Sequence, residues 1–355
     1  MKKINVLSLF DGIACGYEAL NKAGIQVDTY YASEIDKYAI SIALKNHPDI
    51  IQLGDVNNID FTQFVGKINL IMGGSPCQDL SISKRDRKGL EGQRSGLFYR
   101  YLEAIETIKP KYFLLENVAS MKKEDKDKIT ELLGVEPILI NSALVSAQQR
   151  KRLYWTNIPN IIQPKDKNIV LKDILLSGLG VGVENKGYKL CSPQDKSCCL
   201  MARDYKGFGN QQMTGVLEPI RLGELANLTK GQANRIYSIE GKSVCLNANG
   251  GGGGAKTGLY KIDLPDGNYI VRKLEPIECE RLQTLPDRYT EFGLNNENIN
   301  ILAQKSKTKS KKELDLKERY VRISNTQRYK CIGNGWTVDV IAHIFSFLKQ
   351  ELDKQ

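Results

Sequence analysis

A doubly wound, parallel α/β sheet is the fold that this 355-residue sequence predicts, and three observations carry the prediction. From residue 1 to about 157, short apolar runs alternate with helical patterns, the signature of strands joined by crossover helices. A glycine-bearing turn, Phe10-Asp11-Gly12-Ile13-Ala14-Cys15-Gly16, leads from the first run into the first helix and lets backbone approach a nucleotide closely. Two reactive side chains, Cys77 and Glu116, fall at the ends of two further runs, the edge at which open α/β sheets bind ligands.

The expected strands are 4–10, 27–33, 68–72, 112–115 and 138–140. Each is short, apolar and rich in β-branched or aromatic residues. Helices are expected over 17–22, 37–45 and 98–108, the last ended by Lys109-Pro110 because a proline restricts the residue before it. From about 165 to 270 the texture turns glycine-rich and weakly periodic, which predicts loops and short strands rather than a second layered unit. An internal echo lies there: Lys196-Ser197-Cys198-Cys199-Leu200-Met201-Ala202 returns as Lys242-Ser243-Val244-Cys245-Leu246-Asn247-Ala248. Each copy precedes a glycine-containing loop, which suits either groove recognition or a simple duplication. The stretch 305–317 is basic and almost free of apolar residues, and reads as a surface loop. After it, Val338, Ile341, Ala342, Phe345 and Leu348 recur at helical spacing and predict a last amphipathic helix docked on the first domain.

Composition narrows the function. A formal net charge of +10 fits a polyanionic partner, nucleic acid or an anionic membrane surface. The longest uncharged apolar runs are too short to span a bilayer, and Met1-Lys2-Lys3 leads straight into a strand rather than a secretory segment, so an intracellular, cytoplasmic protein is expected. Eight cysteines without a repeated C-x-x-C argue against a disulfide framework or structural zinc. With only His47 and His343, neither a histidine metal centre nor a Ser-His-Asp triad is expected.

On the cofactor side, Glu34 ends the second strand about 20 residues after the turn, where a carboxylate bonds ribose hydroxyls in nucleotide-binding sheets. Asp55 follows Gly54 and could accept from an adenine amine. Either carboxylate could instead cap a helix. No G-x-G-x-x-G and no Walker sequence is present, so a nucleoside without a pyrophosphate fits better.

These segments resemble the cytosine-C5 DNA methyltransferases. Ser8-Leu9-Phe10-Asp11-Gly12 is similar to their first motif, Gly74-Ser75-Pro76-Cys77-Gln78 to the nucleophile motif and Glu116-Asn117-Val118 to the acid motif. Gln148-Gln149-Arg150-Lys151-Arg152 is similar to Q-x-R-x-R, Glu278-Cys279-Glu280-Arg281-Leu282-Gln283-Thr284-Leu285-Pro286 to the motif after the recognition region, and Gly333-Asn334-Gly335 to the last. Stretches such as 6–13, 73–82, 87–90 and 145–147 look closest to the vertebrate de novo enzymes and their prokaryotic relatives. Two departures stand out: Ala14-Cys15 replaces a glycine pair common in bacterial members, predicting a bulkier cofactor loop, and 305–317 looks like an insertion.

The resemblance implies a Rossmann-like S-adenosylmethionine-dependent methyltransferase sheet with a smaller, irregular, β-rich target recognition domain. The boundaries expected are a catalytic cofactor-binding domain over 1–165, recognition over 166–271, a connecting motif and basic loop over 272–328, and a C-terminal segment over 329–355 that packs back on the first. It implies attack on cytosine C6 by the Cys77 thiolate, protonation at N3 by Glu116, and roles for Arg152 on the cytosine O2 and Arg150 near the catalytic loop. Spaced by two on a strand, the arginines would share a face, or would merely contact phosphates. S-adenosyl-L-methionine is expected against Phe10, Asp11, Gly12, Ile13, Glu34, Ile35, Asp55, Val56, Pro76, Leu97, Asn334 and Trp336.

Double-stranded DNA is the expected partner, with no metal and no membrane, and a monomer is expected. Gln78, Ser81, Ser83, Arg85, Arg87 and Lys88 follow Cys77 in a polar, basic stretch suited to closing over DNA around a flipped base. Arg203, Tyr205, Lys206 and Asn210 could read base edges. A transfer-RNA cytosine methyltransferase and a catalytically silent DNA-binding relative are the alternatives; about 100 residues between the arginines and Leu282 favour DNA, and intact Cys77, Glu116 and Arg152 favour an enzyme.

Overall fold

The computed structural model describes residues 3–76, 96–176, 188–194, 221–225, 235–243, 259–263, 269–272, 274–295, 299 and 320–354. Its centre is a seven-stranded sheet of β1 (Ile4–Leu9), β2 (Val27–Ser33), β3 (Ile51–Gln52), β4 (Leu70–Gly73), β5 (Tyr112–Val118), β6 (Ile138–Asn141) and β7 (Lys151–Thr156), in the order β3-β2-β1-β4-β5-β7-β6. Strands β1 to β5 pair in parallel as the alternation predicts. The sheet is not parallel throughout, however: β7 inserts between β5 and β6 and runs antiparallel to both. Residues 142–150 between β6 and β7 hold one short 3-10 turn, too little chain for a crossover helix, so the chain must reverse.

Helices α1 (Cys15–Lys22), α2 (Lys37–Asn46), α3 (Leu97–Ile108) and α4 (Lys123–Leu133) connect these strands. Local chemistry sets several of their ends. Asp36 caps α2 by accepting from the Tyr38 amide at 2.9 Å, and Gly134 ends α4 in the left-handed conformation that glycine adopts without penalty. The pleat of β1 then separates two cores. Val6 faces a cluster with Ile13, Tyr30, Ile42 and Met72, while Leu7 and Leu9 face Ile71, Phe98, Tyr101, Leu115 and Trp155 on the opposite side.

Downstream, α5 (Pro276–Leu282), α6 (Asn325–Asn334) and α7 (Val338–Asp353) return to this core. Val338, Ile341, Phe345 and Leu348 are fully buried, so the predicted last helix forms and joins the cluster that holds α1. Each such side chain contributes about 1.5–3 kcal/mol of burial. The stretch 325–353 is the apolar one, but it breaks between α6 and α7 and turns these side chains into the core.

A second sheet contains β8 (Tyr188–Gln194), β9 (Arg221–Leu225), β10 (Arg235–Ser238), β11 (Leu259–Asp263) and β12 (Tyr269–Arg272), in the order β12-β11-β10-β9-β8. No helix occurs among its described residues, in keeping with the glycine-rich texture. Tyr237 and Tyr260 pack with Leu171, Ile174, Leu274, Leu282 and Ile332 in a third cluster. The first sheet is tied on by backbone as well: Ser243 donates to the Ala147 carbonyl at 2.6 Å and accepts from the Gln149 amide at 3.2 Å. Lys242, second member of the internal echo, is buried and donates to the carbonyls of Ser146 and Ile169. A ribbon of β13 (Phe292–Leu294) and β14 (Tyr320–Arg322) brackets 296–319; the basic stretch 305–317 lies outside the described residues.

Candidate active site

The ends of β1, β2, β4 and β5 bring the predicted residues to one edge of the central sheet. After β1 the backbone is unusual: Phe10, Gly12 and Ala14 have φ of 60°, 62° and 62°. For glycine this is free, whereas Phe10 and Ala14 hold a conformation that side chains disfavour, and such departures gather at ligand-binding turns. The bulk expected from Ala14-Cys15 is absorbed inward, since both side chains are buried. Ile13 is buried too, with its carbonyl accepting from the Tyr289 hydroxyl at 2.9 Å, so its side chain belongs to the core.

Asp11 accepts from the Tyr30 hydroxyl at 2.6 Å through Oδ1, while its Oδ2 is buried and has no hydrogen-bond partner. Burial pushes this carboxyl up to about 6, against an ordinary 3.8; the neighbouring Glu34 adds to the rise, and bonds from Ser8 and Tyr30 oppose it. Glu34 holds the turn together. Its Oε2 accepts from the Gly12 amide at 2.9 Å, and its Oε1 from the amides of Ile35 and Asp36 at 2.7 and 2.8 Å. Beside it the Ile35 side chain is 73% exposed, a flat apolar surface at the sheet edge. Lys330 of α6 reaches Asp36 at 2.6 Å and ties this turn to the C-terminal segment.

Asp55 takes the helix-capping role open to it: Oδ1 accepts from the Asn57 amide at 2.9 Å and heads a short 3-10 turn. Val56 is buried, and its carbonyl accepts from Arg100, whose guanidinium also bonds the Ile59 carbonyl at 2.7 Å. Arg100 thus fixes the loop that carries Asp55. Nothing in the sequence singled it out, because an arginine on a helix is ordinarily a solvated side chain. Leu97 opens α3 half-buried, and Asn334 is exposed at the end of α6.

Cys77, Gln78, Ser81, Ser83, Arg85, Arg87 and Lys88 lie outside the described residues, as do Arg203, Tyr205, Lys206 and Asn210. The approach to Cys77 is described up to Pro76. There Asn117, next to Glu116, donates to the Ser75 carbonyl at 3.3 Å and the Ser75 hydroxyl at 3.1 Å, so β5 positions the chain entering the thiol. Three other cysteines, Cys15, Cys279 and Cys331, are buried, and burial pushes their thiols up, to about 12 for Cys15 and Cys331. Such thiols carry almost no thiolate and are poor nucleophiles.

Glu116 is 8% exposed. Arg152 pairs its Nε with Glu116 Oε1 at 2.7 Å, and the Trp336 indole nitrogen donates to Oε2 at 3.1 Å. Arg150, just before β7, is buried and donates to the carbonyls of Gly333 and Gly335 at 3.2 and 3.0 Å, on either side of Asn334 and next to Trp336. Its own carbonyl accepts from the Ser142 amide at 3.0 Å, continuing the β6–β7 pairing by one residue. Gln283, carried in the motif after the recognition region, supports the same segment through the Ile332 and Gly335 carbonyls at 2.9 and 3.2 Å.

Residues 4–173 match the family model described as C-5 cytosine-specific DNA methylase. That match spans just under half of the chain and is to the family that the motifs resemble. The chain is 28% identical over 313 residues to the orphan methyltransferase M.Rho11sI of Bacillus phage rho11s, covering 75% of the chain and 62% of that protein. It is 34% identical over 193 residues to the orphan methyltransferase M.SPRI of Bacillus phage SPR, covering 50% of the chain and 44% of that protein. The chain therefore spans only between 44% and 62% of the length of these phage relatives. To the type II methyltransferase M.HhaI of Haemophilus parahaemolyticus it is 26% identical over 360 residues, covering 96% of the chain and 93% of that protein. Two solved structures share the fold: Entamoeba histolytica methyltransferase EhMeth, with TM-score 0.65 and 18% identity over 99% of both chains, and S. pombe Dnmt2 methyltransferase, with TM-score 0.58 and 17% identity over 99% of this chain and 100% of that one. The family match agrees with the fold that these two methyltransferase structures share with the chain.

Proposed function

We propose that this chain transfers a methyl group from S-adenosyl-L-methionine to C5 of cytosine in a specific double-stranded DNA sequence. The observation that carries the proposal is the two-point hold on Glu116, by Arg152 and Trp336, at the sheet edge to which Asn117 also ties Ser75, two residues before Cys77 in the sequence. The residues around the β1 turn suit the cofactor. The unpartnered Asp11 Oδ2, the Glu34 carboxylate and the exposed Ile35 offer acceptors and an apolar surface to a cationic nucleoside. Asp11, Gly12, Glu34, Ile35, Asp55, Pro76, Leu97, Asn334 and Trp336 are the residues assigned to hold it. When bound, S-adenosylmethionine supplies the methyl group as an electrophile.

The chain's own residues prepare the acceptor. Cytosine C5 is a weak nucleophile, so the Cys77 thiolate adds to C6 while Glu116 holds a proton at N3, and electron density passes to C5. Once C5 is methylated, loss of its proton regenerates the C5–C6 double bond and expels the thiolate. Arg152, paired with Glu116 through Nε, is assigned to exchange that contact for the pyrimidine edge when the base enters. A base inside a duplex is out of reach, so the nucleotide is flipped out at about a few kcal/mol, with Gln78, Ser81, Ser83, Arg85, Arg87 and Lys88 assigned to the displaced strands. Arg203, Lys206 and Asn210 are assigned to base reading. The relatives include type II and phage orphan methyltransferases, so a role in restriction-modification or phage self-protection follows the same proposal.

The test is methyl incorporation from labelled cofactor into duplex DNA and into transfer RNA, with bisulfite sequencing of DNA from expressing cells. Incorporation at C5 of cytosine in one DNA sequence, lost in Cys77→Ala with cofactor binding kept, is the expected result. Transfer confined to RNA, or undiminished turnover in Cys77→Ala, would reject it.

A further inference from the structure

The Trp336 indole occupies a position that cofactor binding alone does not explain. Its Nε1 donates to Glu116 Oε2, while the other oxygen is taken by Arg152. A glutamate's terminal torsion is broad, so one contact leaves the carboxyl free to turn; donors on both oxygens fix its plane. Room for the contact comes from Gly74: a Cβ there would lie 2.9 Å from both Glu116 Oε2 and Trp336 Nε1. Only a residue without a side chain lets the indole reach the acid.

The indole is braced in turn. Gly335, immediately before it, accepts from Arg150 at 3.0 Å and from Gln283 at 3.2 Å. Thr337, immediately after it, donates to Gln283 at 2.8 Å and accepts from Ser142 at 2.9 Å. A Cβ at Gly335 would meet the Cys15 sulfur at 3.1 Å, so the segment is also pressed against the start of α1. Arg150 therefore fixes one donor to Glu116 through Gly335, while Arg152, two residues on, is the other donor.

We infer that Trp336 is a positioning residue for Glu116, its indole N–H orienting the carboxyl toward the target base. The inference rests on the cytosine-methylation reading above. An indole N–H is a neutral donor and can stay on Oε2 whether Glu116 is ionised or carries the proton, whereas an arginine pair is strongest with the anion. Trp336 thus keeps the acid aimed while its proton is engaged with N3 and while Arg152 exchanges partners.

The test is Trp336→Phe, which keeps an aromatic ring and removes the N–H. Expected are a fall in kcat of about tenfold, KM for DNA within about threefold of wild type, and a displaced alkaline limb of the kcat–pH profile, the limb governed by a group that must carry its proton. In a Glu116→Gln background the same change should add little. A readout independent of activity uses the chain's two tryptophans: two indole N–H signals are expected by NMR, since Trp155 donates to Thr130 at 2.9 Å. Glu116→Gln should move the Trp336 signal and leave that of Trp155 in place, and Gly74→Ala should move it likewise. Unchanged kcat and pH profile in an active Trp336→Phe enzyme would overturn the inference, as would a loss confined to cofactor affinity or an indole signal indifferent to Glu116→Gln. Wild-type protein inactive on cytosine would instead reject the reading it rests on, and the positioning role with it.

Discussion

Asp11→Asn is the perturbation whose size the structure sets most directly. The carboxyl sits beside the β1 turn with one oxygen unpartnered, and burial raises it from 3.8 to about 6. A carboxyl raised on folding binds its proton more tightly in the folded state. Its stabilising contribution is therefore complete below about pH 3.8 and is lost as pH rises through about 6. The difference between the two values corresponds to at most about 3 kcal/mol. Partial solvent access at this edge brings the expected effect nearer about 2 kcal/mol. Asparagine keeps an acceptor for the Tyr30 hydroxyl and cannot ionise. Urea unfolding at fixed ionic strength should find the variant more stable than wild type by about 2 kcal/mol at pH 8, the gap closing toward pH 4. A gap that is flat with pH, or a variant less stable at pH 8, would refute the reasoning. If Asp11 also faces a cationic cofactor, the more stable variant should bind S-adenosylmethionine more weakly at pH 8, measured by calorimetry.

Three further outcomes follow from the same contacts. Arg328→Leu should destabilise by about 3–5 kcal/mol, because it strands the fully buried Glu280, and Arg328→Leu with Glu280→Gln should recover much of that loss in denaturant titrations. Phe345→Ala should lower unfolding free energy by about 3–5 kcal/mol with an unchanged denaturant slope, since the side chain is wholly buried in the cluster joining α7 to α1. DNA binding should weaken steeply as salt rises, as expected when lysines and arginines neutralise phosphates; a flat response in a fluorescence titration would rule out the nucleic-acid partner.

Much of the edge was legible in the chain because each of its residues closes a strand that announces itself. β2 spans the expected 27–33, and the turn after β1 and Glu34 follow strand ends as the apolar runs require, while β5 runs three residues past the expected 112–115 and carries Glu116 within its pairing with β7. The reversal of β7 was not legible, since apolar periodicity shows that a strand exists without giving its direction. Only the nine residues left between β6 and β7 rule out a crossover. Arg150 and Arg152 illustrate a second limit. Their spacing by two suggests one face, but not what each touches: one guanidinium holds the Gly333 and Gly335 carbonyls and the other pairs with Glu116.

By itself, the sequence determined the strand–helix alternation, the order of motifs and hence the family, because these depend on local patterning and on residues a few positions apart. The tertiary structure alone decided what each carboxylate touches. Glu34 became the clasp of the β1 turn, Asp11 a half-buried group with a raised affinity for its proton, and Glu116 a carboxyl held between Arg152 and Trp336. Trp336 lies 220 residues from Glu116 along the chain. Hydrogen bonds of that kind depend on distances of a few tenths of an ångström across a packed core, and no local pattern encodes them.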